Sequence, residues 1–146
     1  MKAVIQRVKS ASVSSEGELL GKIDHGLAIL LAVADSDNLD TIKFFANKLT
    51  NLRIFEDQEG KMNRSLLDVG GDLLIVSNFT IYADARKGYR PSFSQAGEPN
   101  YSNKVFDELL EYIRNNYPIK VETGRFGAMM DVSIVNDGPV TIVLEK

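Results

Sequence analysis

Apolar and polar side chains take turns along residues 2–9. Ala3, Ile5 and Arg7 fall on one face and Val4, Gln6 and Val8 on the other, the period-two pattern of a half-buried strand. A second strand is expected over residues 11–15, ended by the turn Glu16-Gly17-Glu18. Strands near residues 19–23 and 27–34 are expected to pair around Asp24-His25-Gly26. Residues 27–33 are almost wholly apolar, which predicts a central strand covered on both faces. Leu39, Ile42, Phe45, Ala46 and Leu49 then recur at helical spacing. They predict a helix capped by Asp37 or Asn38 and running to about Thr50. Residues 52–55 read as a short strand, 56–60 as a polar turn, Ser65-Leu66-Leu67 as a helical turn before Gly70-Gly71, and 73–77 as the next strong strand.

From Tyr82 to Asn100 the pattern lapses, in a segment that holds Gly88, Pro91, Gly97 and Pro99. A loop of this length inside a compact domain is often functional. A second helix, capped by Asn100 or Ser102 and running to about Asn115, would bury Val105, Phe106, Leu109, Leu110 and Ile113. Strands near residues 120–122, 129–135 and 140–144 complete the chain. Asp137-Gly138-Pro139 separates the last two, as a hairpin turn would. Strands and helices do not alternate in strand–helix–strand units. The pattern therefore predicts one α+β domain over residues 1–146, with curved, largely antiparallel sheets forming a barrel-like core and two main helices outside.

Composition narrows the chemistry. There is no Cys and only one His, His25, in an apparent turn. Thiol nucleophiles, disulfides and His/Cys zinc sites are therefore excluded, and the lack of Cys fits a reducing compartment. No nucleophile elbow accompanies His25. Acidic residues lack ligand-like spacing, and neither a dinucleotide-binding glycine motif nor a phosphate-binding loop is present, so no metal or cofactor is expected. The net charge of −3 argues against wrapping a long nucleic-acid backbone but leaves room for a local basic patch that holds one RNA end. Arg86, Lys87 and Arg90, interleaved with Tyr82, Tyr89 and Phe93, have the mixture that base stacking and phosphate contact need. The N-terminal segment does not read as a signal peptide, since Gln6 and Arg7 break its apolar run. The longest apolar run, residues 27–34, is well short of the ~20 residues that span a bilayer. A cytoplasmic protein without membrane attachment is expected.

Hydroxyls are the remaining nucleophile candidates. Thr80 follows Ser77-Asn78-Phe79 at the end of a strong strand. If the strand continued, Asn78 and Thr80 would present an amide and a hydroxyl on one face. Asn136-Asp137-Gly138-Pro139-Val140-Thr141 reads first as a turn. A rigid Gly–Pro unit could also aim backbone carbonyls outward, with Gly138 adopting shapes a side chain would obstruct.

Several segments together resemble the D-aminoacyl-tRNA deacylases (historically D-tyrosyl-tRNA deacylases) over nearly the whole chain. They are Ala3-Val4-Ile5-Gln6-Arg7-Val8, Asn51-Leu52-Arg53-Ile54-Phe55, Gly70-Gly71-Asp72-Leu73-Leu74, Arg86-Lys87-Gly88 with Arg90-Pro91-Ser92-Phe93, Glu122-Thr123-Gly124-Arg125-Phe126-Gly127-Ala128, and Asn136-Asp137-Gly138-Pro139-Val140-Thr141. The family's usual Ser-Gln-Phe-Thr stands here as Ser77-Asn78-Phe79-Thr80.

The resemblance implies a homodimer that hydrolyses the ester joining a D-amino acid, or glycine, to the 3′-terminal adenosine of tRNA. It implies a cis Gly138–Pro139 pair that reaches into the neighbouring subunit's site and excludes L side chains. Ser77, Asn78, Phe79 and Thr80 are then the catalytic group. Ser77 and Asn78 anchor the ester-binding backbone, and Phe79 supports the adenosine. Gly138, Pro139 and Asn136 form the filter, Gln6 and Arg7 brace it, Met129 borders the amino-acid pocket, and Lys87 and Arg90 meet the tRNA end. Thr80 could attack the ester, although no obvious base stands ready. Alternatively it could orient the ester while the tRNA 2′-OH helps to activate water. Two other readings compete: a non-catalytic tRNA-end-binding protein, and an L-alanyl/glycyl-tRNA proofreading hydrolase, which a trans Gly138–Pro139 bond would favour.

Overall fold

The computed structural model describes residues 1–146, and its sheet is organised around the first strand. β1 (Lys2–Ser15) is one strand of fourteen residues rather than the two expected. What looked like a break is a change of face. Ala3, Ile5 and Arg7 are buried, then Val8, then Ala11 and Val13, so the buried phase slips between residues 7 and 11. The register against the last strand is irregular at the same places. Such irregularities bend a strand and raise its twist, and this one turns β1 from one face of the sheet to the other.

β2 (Glu18–Ile23) and β3 (Gly26–Ala32) were expected to pair with each other. Instead both pair antiparallel with β1 in succession, Ser15↔Glu18 through Ala11↔Ile23 and then Val8↔Gly26 through Lys2↔Ala32. Asp24-His25 is thus a kink in a continuing ribbon, following the bend of β1. β6 (Asp72–Ser77) joins β3 in parallel, and β7 (Val121–Thr123) joins β6 in parallel. The α+β barrel-like architecture stands, with antiparallel pairing around β1 and parallel pairing beyond β3. β2 comes back against β7, where a Cβ on Gly21 would lie 2.9 Å from the Thr123 carbonyl oxygen, so the barrel is nearly closed.

β8 (Asp131–Glu145) also runs unbroken where two strands and a hairpin turn were expected. It is antiparallel to β1 from end to end, Ser14↔Asp131 to Lys2↔Glu145. The turn residues form a bulge within this strand. Between the pairs Gln6↔Thr141 and Val8↔Asn136, Arg7 alone stands opposite residues 137–140.

α1 (Leu39–Asn51) begins at Asn38, whose side chain accepts from the Asp40 and Thr41 N–H groups. Asp37 instead pairs with the Met1 ammonium and accepts from the Ala34 N–H. A short β4 (Phe55–Glu56) pairs with β5 (Met62–Arg64) across the polar turn. Leu52 ends α1 rather than opening a strand. α2 (Leu66–Val69) is capped by Ser65 and stopped by Gly70 in the left-handed region. α3 (Pro99–Asn116) starts ahead of the expected caps. Glu98 caps it by accepting from the Tyr101 N–H, and Pro99 occupies the first helical position, where a missing N–H costs nothing. Ser102 is buried inside the first turn instead.

The sheet thus has two apolar faces. Leu27, Ile29, Leu31, Leu73 and Ile75 pack under α1 and α3 with Phe45, Leu49, Phe106 and Leu109. Val8, Val13, Ala28, Leu74 and Val76 fill the barrel interior. β3 is covered on both sides, as its composition predicted. No helix is long and apolar enough to cross a membrane. The tightest point is Gly26, where a Cβ would stand 2.0 Å from the Asp72 carbonyl oxygen. Gly26→Ala must force β3 and β6 apart, and urea unfolding is expected to register a loss of about 1–3 kcal/mol. A loss below ~1 kcal/mol would contradict this close approach.

Candidate functional site

β6 ends at Ser77 because the chain leaves the sheet. The Asn78 N–H bonds the Leu31 carbonyl at 2.8 Å, and a 3₁₀ turn follows over Phe79–Tyr82. The continued strand expected here is absent, yet the Asn78 amide and Thr80 hydroxyl still meet by a different geometry. Asn78 Oδ1 caps the turn, accepting from the Thr80 N–H at 3.2 Å and from Thr80 Oγ1 at 2.5 Å. An N–H can only donate, so the shared Asn78 atom must be oxygen, and the hydroxyl must donate to it as well. Thr80 therefore turns its hydroxyl hydrogen inward and offers its lone pairs outward. The Phe79 N–H, at the first position of the turn, has no residue within the turn to donate to. Phe79 and Thr80 are exposed, Ser77 and Asn78 half-buried, and Tyr82 is the buried anchor. Burial, with Asp37 and Glu145 nearby, pushes the Tyr82 phenol up to about 12.

The second cluster surrounds the β8 bulge. Arg7 is only 4% exposed, and its guanidinium fills the space behind residues 137–140. Its Nε donates to the Asp137 carbonyl at 3.1 Å and pairs with the Asp137 carboxylate at 3.2 Å. Its Nη1 donates to the Ile54 carbonyl at 2.7 Å, and its Nη2 faces Glu56 at 3.6 Å. The Gly138–Pro139 peptide is cis, and Gly138 has φ +127. A Cβ on Gly138 would stand 2.8 Å from the Val140 nitrogen, so the bulge has room only for glycine. Gly138, Pro139 and Asn136 are exposed.

The two clusters do not meet within one chain. Arg7 pairs with Leu27, while the Asn78 turn is fixed at Leu31. They are offset by four residues of β3, about 13 Å. β1 and β3 also lie between β8 and β6, so three strand spacings, about 14 Å, separate them across the sheet. Gln6 is half-buried opposite Ala28 and Thr141, beside the bulge. Met129 is 90% exposed at the other end of β1, where Ser15 Oγ holds its carbonyl. It does not border the Thr80 turn of its own chain.

Lys87 and Arg90 lie exposed on the loop after the turn, while Arg86 folds back onto Asp84. That contact holds the Asp84 carboxyl below its ordinary range. A shallow depression of about 400 Å³ opens beside them, lined by Ala83, Asp84, Ala85, Arg86 and Gln95. Sequence reasoning did not find the Ile54 carbonyl, Glu56 and Asp137 as partners of Arg7. The available signal was an arginine placed on an otherwise apolar strand face, which requires acceptors.

Comparison with known proteins bears on both clusters. Residues 4–145 match the family model described as D-Tyr-tRNA(Tyr) deacylase. A D-aminoacyl-tRNA deacylase of Thermosipho africanus is 56% identical over all of this chain and 97% of its own length. One from a Geobacillus species is 50% identical over all of this chain and 95% of its own. Among solved structures, one described as a c-Myc DNA unwinding element binding protein superposes with a TM-score of 0.94 at 39% identity, covering 100% of this chain and 99% of that one. A probable eukaryotic D-amino acid tRNA deacylase shares the fold, at TM-score 0.81 and 17% identity over 98% of this chain and 97% of that one.

Removing the Arg7 guanidinium would leave the Ile54 and Asp137 carbonyls without their donor. Arg7→Ala is expected to lower stability by about 3 kcal/mol. It should also raise hydrogen exchange locally across residues 136–141. A variant that unfolds normally, with unchanged exchange in that segment, would show that Arg7 does not hold the bulge.

Proposed function

The chain belongs to the D-Tyr-tRNA(Tyr) deacylase family, hydrolases that act on aminoacyl-tRNA esters. From that premise we propose that it cleaves D-aminoacyl-tRNA at the Thr80 turn, with a second copy of the chain supplying the chiral filter. The observation that carries this reading is the double acceptance by Asn78 Oδ1. An amide oxygen is not a base, so it leaves Thr80 unactivated as a nucleophile. Thr80 instead presents its lone pairs to a donor, the α-amino group of the substrate or the attacking water. The Phe79 N–H faces the developing oxyanion, and the terminal 2′-OH helps to activate water. The ester is already reactive, so a modest apparatus suffices.

Chirality is read by exclusion. D and L esters carry the same groups, and only several fixed points around Cα separate them. Backbone carbonyls at Gly138 and Pro139, on a bulge held from behind by Arg7 through the Asp137 carbonyl, are fixed more firmly than rotatable side chains. Because the bulge of one chain lies so far along the sheet from its own Thr80, the filter belongs to the partner in a homodimer. β8 supports this assembly. It is a long strand with β1 as its sole partner, and it exposes Val135 and Val143. Such an edge is a template for association. Glycyl esters have no side chain to exclude and are cleaved too. The relative described as a DNA-element binding protein favours one other reading, nucleic-acid binding without hydrolysis.

Time courses with matched D-tyrosyl-, L-tyrosyl- and glycyl-tRNA test the proposal. The expected result is loss of the D and glycyl esters only, and survival of all three would support the binding reading. Thr80→Ala should slow turnover roughly 10–100-fold. A D-tyrosyl ester on a 2′-deoxyadenosine end should be nearly inert, and its cleavage at the normal rate would sink the substrate-assisted mechanism.

A further inference from the structure

The loop after the Thr80 turn carries a second feature. The Asp84 N–H bonds the Ser92 carbonyl at 2.8 Å, and the Ser92 N–H bonds the Asp84 carbonyl at 2.9 Å. These two bonds close the base of a flap over residues 84–92. Arg86 is spent inside it, bound to the Asp84 carboxylate at 2.9 and 2.7 Å. Gly88, at φ +67, turns the tip. Lys87 and Arg90 are exposed and make no ion pair with a carboxylate, and Tyr89 stands wholly in solvent at 107% relative exposure. At the base, Phe93 meets Phe79 edge-on at 5.3 Å, and Phe79 is the neighbour of Thr80. The flap holds three cations against one carboxylate in a chain whose net charge is −3.

An exposed aromatic ring between two free cations suits a base and its flanking phosphates. It stands near a turn that, on the reading above, takes a nucleoside ester. The next group covalently joined to that nucleoside is a phosphodiester and then an unpaired cytidine. We propose that the flap is a nucleotide subsite for the unpaired residues immediately 5′ of the terminal adenosine. Tyr89 stacks on a cytosine, and Lys87 and Arg90 meet the adjoining phosphates. The assignment rests on the deacylase reading for its choice of ligand. The subsite holds the acceptor end and plays no part in the bond cleavage.

The test compares D-tyrosyl-tRNA with 3′-O-(D-tyrosyl)adenosine, which lacks the 5′ nucleotides, and measures binding of the trinucleotide CCA alongside. Tyr89→Ala is expected to raise KM for the tRNA about tenfold, with kcat unchanged, and to leave the adenosine ester untouched. Tyr89→Phe, which keeps the ring, should restore the normal KM. Lys87→Ala and Arg90→Ala should each flatten the salt dependence of KM by roughly 0.7 in log–log slope. Binding of CCA should weaken about tenfold in Tyr89→Ala whether or not esters are cleaved. A protein that binds CCA through Tyr89 but spares the ester would refute the hydrolase and keep the subsite. Equal effects of Tyr89→Ala on both esters, no effect on either ester or on CCA, or a change of oligomeric state as the cause of the loss would overturn the subsite.

Discussion

One residue of β1 faces four of β8, and the guanidinium of that residue occupies the difference. Arg7 sits where β1 changes face, so its side chain points from an otherwise apolar surface into the space the bulge leaves behind. A buried charge there would be costly without acceptors. Two backbone carbonyls and two carboxylates supply them. Glu56 is well exposed, so its ion pair contributes little. The ordering comes from the bonds to the Ile54 and Asp137 carbonyls, which join β1, the segment before β4, and the bulge. The same contact that completes the sheet thereby fixes an exposed Gly–Pro backbone in space.

That fixed backbone and the Thr80 turn gain meaning from their separation. A bulge about 13 Å along and three strands across from the turn cannot read the same amino acid within one chain. The turn, for its part, contains no base. Its shortest internal bond points the Thr80 hydroxyl hydrogen at an amide oxygen. A site built this way positions groups and relies on the substrate for reactivity. On the proposed reading, the rate comes from an activated ester with its own 2′-OH, and the selectivity comes from a neighbour's rigid carbonyls.

Much of this was legible in the sequence, and the failures share a cause. The helix cores, the Asn38 cap, the Ser65 turn and the doubly covered β3 follow from periodicity and capping chemistry, which are local. Turn residues misled wherever the sheet bends. Asp24-His25-Gly26 and Asp137-Gly138-Pro139 have hairpin composition, yet each lies within a ribbon whose direction continues. The long-range register of β1 decides that, and no short window contains it. The slip of burial between residues 7 and 11 was visible as a broken alternation, but a break and a bulge look alike until the partner strand is known. The residues of the Thr80 turn and of the Gly138–Pro139 segment were legible as two groups of candidates. Arg7's acceptors were not, because Ile54 contributes a carbonyl, a group every residue has.

The position where this chain departs from the family's usual Ser-Gln-Phe-Thr can be judged physically. Asn78 is the cap of a 3₁₀ turn, and asparagine is among the best capping residues because its amide oxygen reaches back to the second or third N–H. A glutamine carries its amide one methylene farther and competes poorly for that N–H. In this chain the amide is therefore committed to the turn, bonding the Thr80 N–H and hydroxyl together. It gives up reach toward a ligand and gains a single rotamer for the Thr80 hydroxyl. The shorter side chain is compatible with a reaction in which Thr80 positions the substrate, because positioning needs that hydroxyl held still. It is poorly suited to one in which Thr80 attacks, because attack needs a base where the amide oxygen stands.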